Sequence, residues 1–258
     1  MTLWPDYLVE RARLRPPVGC LNEIVPRSTP VVSFGNPVRA TVATIGLNPA
    51  SGEFLGRKKM LLSGSERRLA TLESLEIQSY CDINKRLGAK IVDECAGYFD
   101  RRPLNWFLPL DNILSAGVYA SYYSSTTCHE IACHLDLAQW ATLRGWNEIK
   151  ETDPDILKSL LSDGESFLYQ QLREGDYRLV IANGITTKEW IEYASLTTWT
   201  QVDHLEGKRS VRLYAGEGGA TRFLAWSCNL QRHIRSQPEH IPALIKFVAT
   251  YGGTRRAT

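Results

Sequence analysis

Residues Thr41–Gly52 read TVATIGLNPASG. Val42, Ala43, Thr44 and Ile45 make a short, largely β-branched apolar run, which predicts a buried strand. The run breaks at Gly46, again at Asn48-Pro49, and Gly52 follows closely. A strand that ends in a tight turn is where an open α/β sheet presents its chemistry, at the strand's carboxyl end. Proline fixes its own φ and pushes the residue before it into an extended conformation, so Asn48 reads as a preorganised amide. Asn-Pro is also an ordinary turn signal.

Composition sets wide bounds around this stretch. Among 258 residues, 43% are hydrophobic and 22% charged, the balance of a globular chain able to bury its own core. No run approaches the ~18–20 apolar residues of a membrane span. The first residues, MTLWPDYLVERARLRPP, mix acids with bases and lack the apolar centre of a secretory signal. Six scattered cysteines fit reduced thiols, so the expected setting is cytoplasmic, with no membrane partner. A net charge of +2 allows a nucleic-acid partner only through a local basic patch.

Outward from the turn, residues 4–14 predict a short helix and 18–40 an irregular arm rich in Pro, Gly and Ser. Residues 53–64 predict a loop carrying Arg57, Lys58 and Lys59. Ser65–Gln78 and Asp82–Tyr98 predict helices, the second capped by Asp82. An aromatic block follows at 98–110, then a strand at Ile131–Asp136, a helix over 154–173 and a strand at Tyr177–Ala182. Thr186 and Thr187 are candidate caps for the next helix. Ser210–Tyr214 and Arg222–Trp226 predict paired strands, and Glu239–Tyr251 a last helix before the tail GGTRRAT. Strands alternating with helices predict an α/β fold: one three-layer domain, with a mostly parallel sheet of four to five strands and helices on both faces. No repeat or linker divides it; residues 1–39 form a helix and arm, 40–235 the core, and 236–258 a helix and tail.

Three segments together resemble the uracil-DNA glycosylase superfamily. IGLNPAS at 45–51 is similar to its Gly-x-Asn-Pro first motif, HLDLAQWAT at 134–142 to its base-reading strand, and FLAWSCNLQRH at 223–233 to its minor-groove loop. The third is degenerate, without the His-Pro-Ser form common in the superfamily. The resemblance implies a monofunctional DNA glycosylase that flips a pyrimidine out of DNA, duplex or single-stranded, and hydrolyses its N-glycosidic bond. No cofactor or metal is implied, and a monomer is expected.

Carried over, Asn48 orients the attacking water, an effect of positioning and charge stabilisation. Gly46, Leu47 and Ala50 line the base pocket, with Ala50 standing where many relatives have glycine. Phe54 is the expected stacking aromatic, with Trp106 and Phe107 as rivals and ordinary core packing as the alternative for each. Leu230 is the expected wedge into the duplex. Ser227, Asn229, Gln231, Arg232 and His233 surround it as DNA contacts, and Arg57, Lys58, Lys59, Arg67 and Arg68 form a basic rim or merely a solvated loop. Relatives usually read uracil with an asparagine where this chain has Asp136. A carboxylate is an acceptor only; it mismatches uracil O4 and matches the exocyclic amine of cytosine. The implied base is therefore a modified cytosine, such as the glucosylated hydroxymethylcytosine of phage DNA. The alternatives are uracil or a deaminated base in repair, and a catalytically silent binding module. Asp136 as a turn cap is the competing structural role.

Cys128-His129 and Cys133-His134 suggest zinc. Their five-residue offset along one strand and the lack of C-x2-C pairs argue against it. Cys20 and Cys228 likewise do not complete a four-cysteine cluster site.

Overall fold

The computed structural model describes residues 4–100, 105–123 and 128–253. In order the elements are α1 (Asp6–Ala12), β1 (Val42–Gly46), α2 (Lys85–Ala96), α3 (Leu108–Val118), β2 (Ala120–Ser121), β3 (Glu130–Asp136), α4 (Trp146–Thr152) and α5 (Pro154–Glu174). Then come β4 (Leu179–Asn183), α6 (Ile185–Tyr193), β5 (Thr200–Leu205), β6 (Val211–Gly218), β7 (Thr221–Trp226), α7 (Leu230–Ser236) and α8 (Ile241–Gly252). They fall into two compact units whose segments alternate along the chain. The first comprises residues 4–36, 47–98 and 135–171, the second 37–46, 99–134 and 172–253.

The second unit carries the sheet, ordered β2-β3-β1-β4-β7-β6-β5. β1, β4 and β7 pair in parallel, as do β2 and β3, while β6 and β5 are added antiparallel. The α/β class with a mostly parallel core is as expected, but seven strands replace the four to five. Two strands were not expected: β2, only two residues long, and β5, an edge strand whose sequence TQVDHL is exposed at most positions and has no apolar face to betray it. β1 and β4 are buried at all five positions, which explains their continuous apolar sequence. β6 and β7 turn through Gly219, at φ +62°. Helices α3 and α8 pack on each other, and α8 and α6 on the sheet strands.

The first unit is a helical and looped body. α1 packs on α2 at Gly88, where a Cβ would lie 3.0 Å from the Val9 carbonyl oxygen. The middle of the expected arm is buried, with Ile24, Val25, Val31, Val32 and Phe34 all at most 3% exposed, whereas Val18 and Leu21 at its start are exposed. It gains backbone partners along 139–143, with Val31 N donating to Gln139 O at 2.8 Å, Val25 N to Ala141 O at 2.9 Å and Leu143 N to Glu23 O at 2.8 Å. α5, within one residue of its expected span, reaches the same stretch through Gly164, where a Cβ would stand 2.1 Å from Leu137 O.

Two expected helices change. Ser65–Gln78 is turns around a 3₁₀ segment at Gly64–Glu66. Thr71 and Ser74 bind each other's backbone N–H through their hydroxyls, at 2.9 and 3.1 Å, and so compete with helical hydrogen bonding. The second begins at Lys85, capped by Asn84 rather than Asp82, whose carboxylate closes a 3₁₀ capping box with Ser79. Nor do Thr186 and Thr187 cap α6: Gly184 occupies the N-cap, and Thr187 donates back to its carbonyl at 2.8 Å. Residues 101–104 of the aromatic block and the tail beyond Gly253 lie outside the described residues. Among the described residues no helix is long and apolar enough to cross a membrane.

Candidate active site

β1 runs directly into the turn at 47–50, and the turn is tied to the residues that follow β3. Leu47 O accepts from Ala138 N at 2.9 Å, and Ala50 bridges in parallel to Thr142. The first and second sequence segments therefore meet in the first unit.

The Asn48 amide is oriented by this junction. Its Nδ2 donates to Pro49 O at 3.0 Å and to Thr142 Oγ1 at 3.0 Å. A carbonyl oxygen can only accept, so the amide's orientation is fixed chemically. Thr142 passes its own hydroxyl proton to Arg144 O at 2.8 Å, and the Arg144 guanidinium is clamped by Glu23 at 2.6 Å and Asp153 at 2.7 Å. That leaves Oδ1 of Asn48 as an acceptor for which the described residues supply no donor. The side chain is half-buried. An amide anchored through its nitrogen, with its oxygen available, can hold a water molecule by one of that water's protons.

Asp136 ends β3 and is buried, at 4% exposure. Its backbone oxygen accepts from Gln139 Nε2 at 2.6 Å, so Gln139 shapes the turn after it. Glu53, read from the sequence only as part of a loop, is a second buried carboxyl of the first unit. Glu53 ends the 3₁₀ turn Ser51–Glu53 and is 8% exposed. Burial pushes its carboxyl up from the ordinary carboxylate range. Hydrogen bonds from Tyr98 and Arg68 and the Arg68 charge oppose that rise, and the Asp136 charge adds to it. Thr142, whose hydroxyl accepts from the Asn48 amide, was not singled out in the sequence either, although it closes the second segment.

The other expected site residues divide. Gly46 is buried at the end of β1, Leu47 is half-buried and Ala50 exposed. Phe54 is 1% exposed, the burial of a core residue. Phe107 is buried among Phe99, Tyr122 and His134, while Trp106 is 37% exposed. Arg57, Lys58 and Lys59 are exposed on a tight turn closed by Gly56 N donating to Met60 O at 2.9 Å. Arg67 is engaged by Glu94 and Arg68 by Glu53.

The third segment, in the second unit, departs most from expectation. Leu230 is fully buried, whereas a wedge has to protrude. Asn183 explains this: its Oδ1 accepts from Leu230 N at 3.0 Å and Trp226 Nε1 at 2.8 Å, and its Nδ2 donates to Gln231 at 2.9 Å. Ser227 Oγ accepts from Arg212 N at 3.0 Å, and the Asn229 side chain caps α7 by accepting from Arg232 N at 3.1 Å. His233, expected at a DNA-facing surface, is buried and bonded to His240 at 2.7 Å. Only Asn229 and Arg232 of this group are exposed.

Cys133 and His134 also have local partners. The Cys133 thiol lies 3.8 Å from the Tyr177 hydroxyl, burial pushing it up to about 12, and His134 Nδ1 meets Thr44 Oγ1 at 2.7 Å. No protein-family model matches the sequence, and no curated protein matches it.

Proposed function

We propose that the chain is a monofunctional DNA glycosylase that hydrolyses the N-glycosidic bond of a flipped-out pyrimidine, with a modified cytosine as its preferred base. The reading is carried by the Asn48 amide, anchored through Nδ2 and open at Oδ1, within the same unit as the buried Asp136. In the proposed reaction Asn48 Oδ1 accepts a proton contact from water and aims the water oxygen at the sugar C1′. As the C1′–N bond breaks, its electron pair leaves with the base. The water oxygen bonds C1′, and the proton it releases ends on the departing base. Asp136 accepts from the exocyclic amine of the base, and the exposed Arg57, Lys58 and Lys59 supply phosphate contacts. With Leu230 buried, the proposal assigns no wedge to α7. Uracil is the alternative base.

The test is incubation with duplex and single-stranded oligonucleotides carrying uracil, 5-hydroxymethylcytosine or its glucosylated form, followed by alkali. Wild type should leave an alkali-labile site at the cytosine derivative. Asn48→Ala should release base about 10²–10³-fold more slowly while remaining folded. Asp136→Asn keeps the side chain's size and adds a donor, so it should shift preference toward uracil by roughly one to two decades. If no oligonucleotide loses a base, the proposal is wrong; if wild type already prefers uracil and Asp136→Asn leaves that preference alone, the cytosine assignment goes.

A further inference from the structure

The turn that presents Asn48 runs without a break into a second, sharper one. Glu53 N donates to Ala50 O at 3.0 Å, Phe54 N to Ser51 O at 3.0 Å and Leu55 N to Ser51 O at 2.8 Å. Phe54, 1% exposed, roots the segment in the interior. From there the chain doubles back: Leu55 bridges Leu61 antiparallel, and Leu62 N donates to Phe54 O at 2.7 Å. Gly56 N donates to Met60 O and Lys59 N to Gly56 O, both at 2.9 Å, closing a hairpin over Arg57, Lys58 and Lys59. Lys59 lies in the left-handed region, at φ +56°. Hairpin loops of this length call for that conformation at their last residue, and glycine adopts it most easily. Here the position carries a lysine.

The composition of the tip gives it a use. Arg57, Lys58, Lys59 and Met60 are all exposed, Met60 at 69%. No acidic residue occurs from Phe54 to Ser65. Farther on, Arg67 and Arg68 are held by Glu94 and Glu53, whereas the tip cations have no ion pair among the described residues. Leu61 and Leu62 are half-buried, so the fold draws both leucines inward and leaves the methionine out. One exposed apolar side chain is ordinary by itself. Set on a rooted hairpin beside unpaired cations, it has the form of a wedge: the cations grip phosphates while the apolar group enters the base stack. Methionine suits such a gap, being unbranched and polarizable.

We propose that this hairpin opens duplex DNA, with Arg57, Lys58 and Lys59 on the phosphate backbone and Met60 inserted between base pairs. The proposal rests on the DNA partner of the glycosylase reading but not on base release, and it supplies the protruding group that the buried Leu230 cannot. An anionic membrane is the other surface that cations beside an apolar group could meet, but a single methionine buries too little apolar surface to anchor there.

The test reads stacking directly. A duplex carrying 2-aminopurine, which brightens when unstacked, beside 5-hydroxymethylcytosine is titrated with Asn48→Ala protein, so that the base stays attached. This parent should bind and raise the fluorescence. Adding Met60→Ala should leave binding but remove most of the rise, and Met60→Leu, apolar and close in volume, should restore it. Adding Lys59→Gly removes a charge at a φ that glycine favours; it should lower the slope of log affinity against log salt by about 0.9. In the protein with Asn48 intact, Met60→Ala should slow base release from duplex about tenfold more than from single strands, because only the duplex must be unstacked. No rise with the parent, a rise unchanged by Met60→Ala, or one lost instead with Leu143→Ala, the exposed leucine beside Thr142, would overturn the proposal. Met60-dependent binding to phosphatidylserine vesicles without any response to duplex would do the same. The two readings fail separately. Base release without a Met60-dependent rise sinks the wedge alone, and a Met60-dependent rise with no base released from any oligonucleotide sinks the glycosylase alone.

Discussion

The carboxyl ends of β1 and β4, both strands buried at every position, each present an asparagine, yet the two side chains have opposite hydrogen-bond economies. Around Asn48 the amide is anchored by one end, and among the described residues its half-buried oxygen has no donor. Around Asn183, at the end of β4, both ends of the amide are consumed. It collects Trp226, Leu230 and Gln231 into one network at the start of α7. The contrast separates the side chain to which we assign chemistry from one whose hydrogen bonds hold the fold together. Residue type does not distinguish them; what remains unbonded does.

The largest expected effect tests the architectural side. Asn183→Ala strips partners from two buried donors and from Gln231. At about 1–3 kcal/mol for each, the stability loss should be about 3 kcal/mol or more, read in urea or thermal unfolding. A stable Asn183→Ala protein would break the contrast. Next in size is Thr142→Val, which removes the acceptor holding Asn48 Nδ2 while keeping the side chain's volume. Base release should fall roughly tenfold, smaller than the loss on removing the Asn48 amide itself, with KM for the oligonucleotide little changed. Loss of stability without loss of rate would return Thr142 to a purely structural role.

The smallest effect concerns acid. His233 is held below the ordinary imidazole range, first by burial and then by the charge of its partner His240, with Arg209 acting in the same direction and Glu239 against it. A lowered folded pKa stabilises the protein above the unfolded value of about 6.5, and that stabilisation is lost as pH falls through the folded value. Melting temperature should therefore decline below about pH 6.5. His233→Gln should flatten the decline; an equally steep profile in that variant would locate the acid sensitivity elsewhere.

The same contrast explains what the sequence made legible. β1 and the Asn48 turn could be read because a β-branched run followed by Asn-Pro leaves few alternatives. The long helix α5 could be read because its apolar spacing extends over twenty-one residues. Glu53 could not be singled out: a lone glutamate in a glycine-containing loop predicts an exposed charge, and its burial depends on Tyr98, 45 residues away. Leu230 misled for the opposite reason. Its place in the third segment suggested exposure, while the group that buries it, Asn183, lies 47 residues earlier. Local pattern governed the elements; long-range hydrogen bonds decided which polar groups remained available.

The alternation of the two units along the chain also sets a timetable. The backbone passes between them at 36/37, 46/47, 98/99, 134/135 and 171/172. During synthesis neither unit can close before the ribosome has moved far into the other. Asn48 emerges 94 residues ahead of Thr142, the side chain that orients it. At about 5–20 residues per second, that interval is roughly 5–20 s. A nascent chain therefore carries Asn48 for many seconds before Thr142 can hold its amide, and a fragment ending before Thr142 keeps only the Pro49 carbonyl contact of the two.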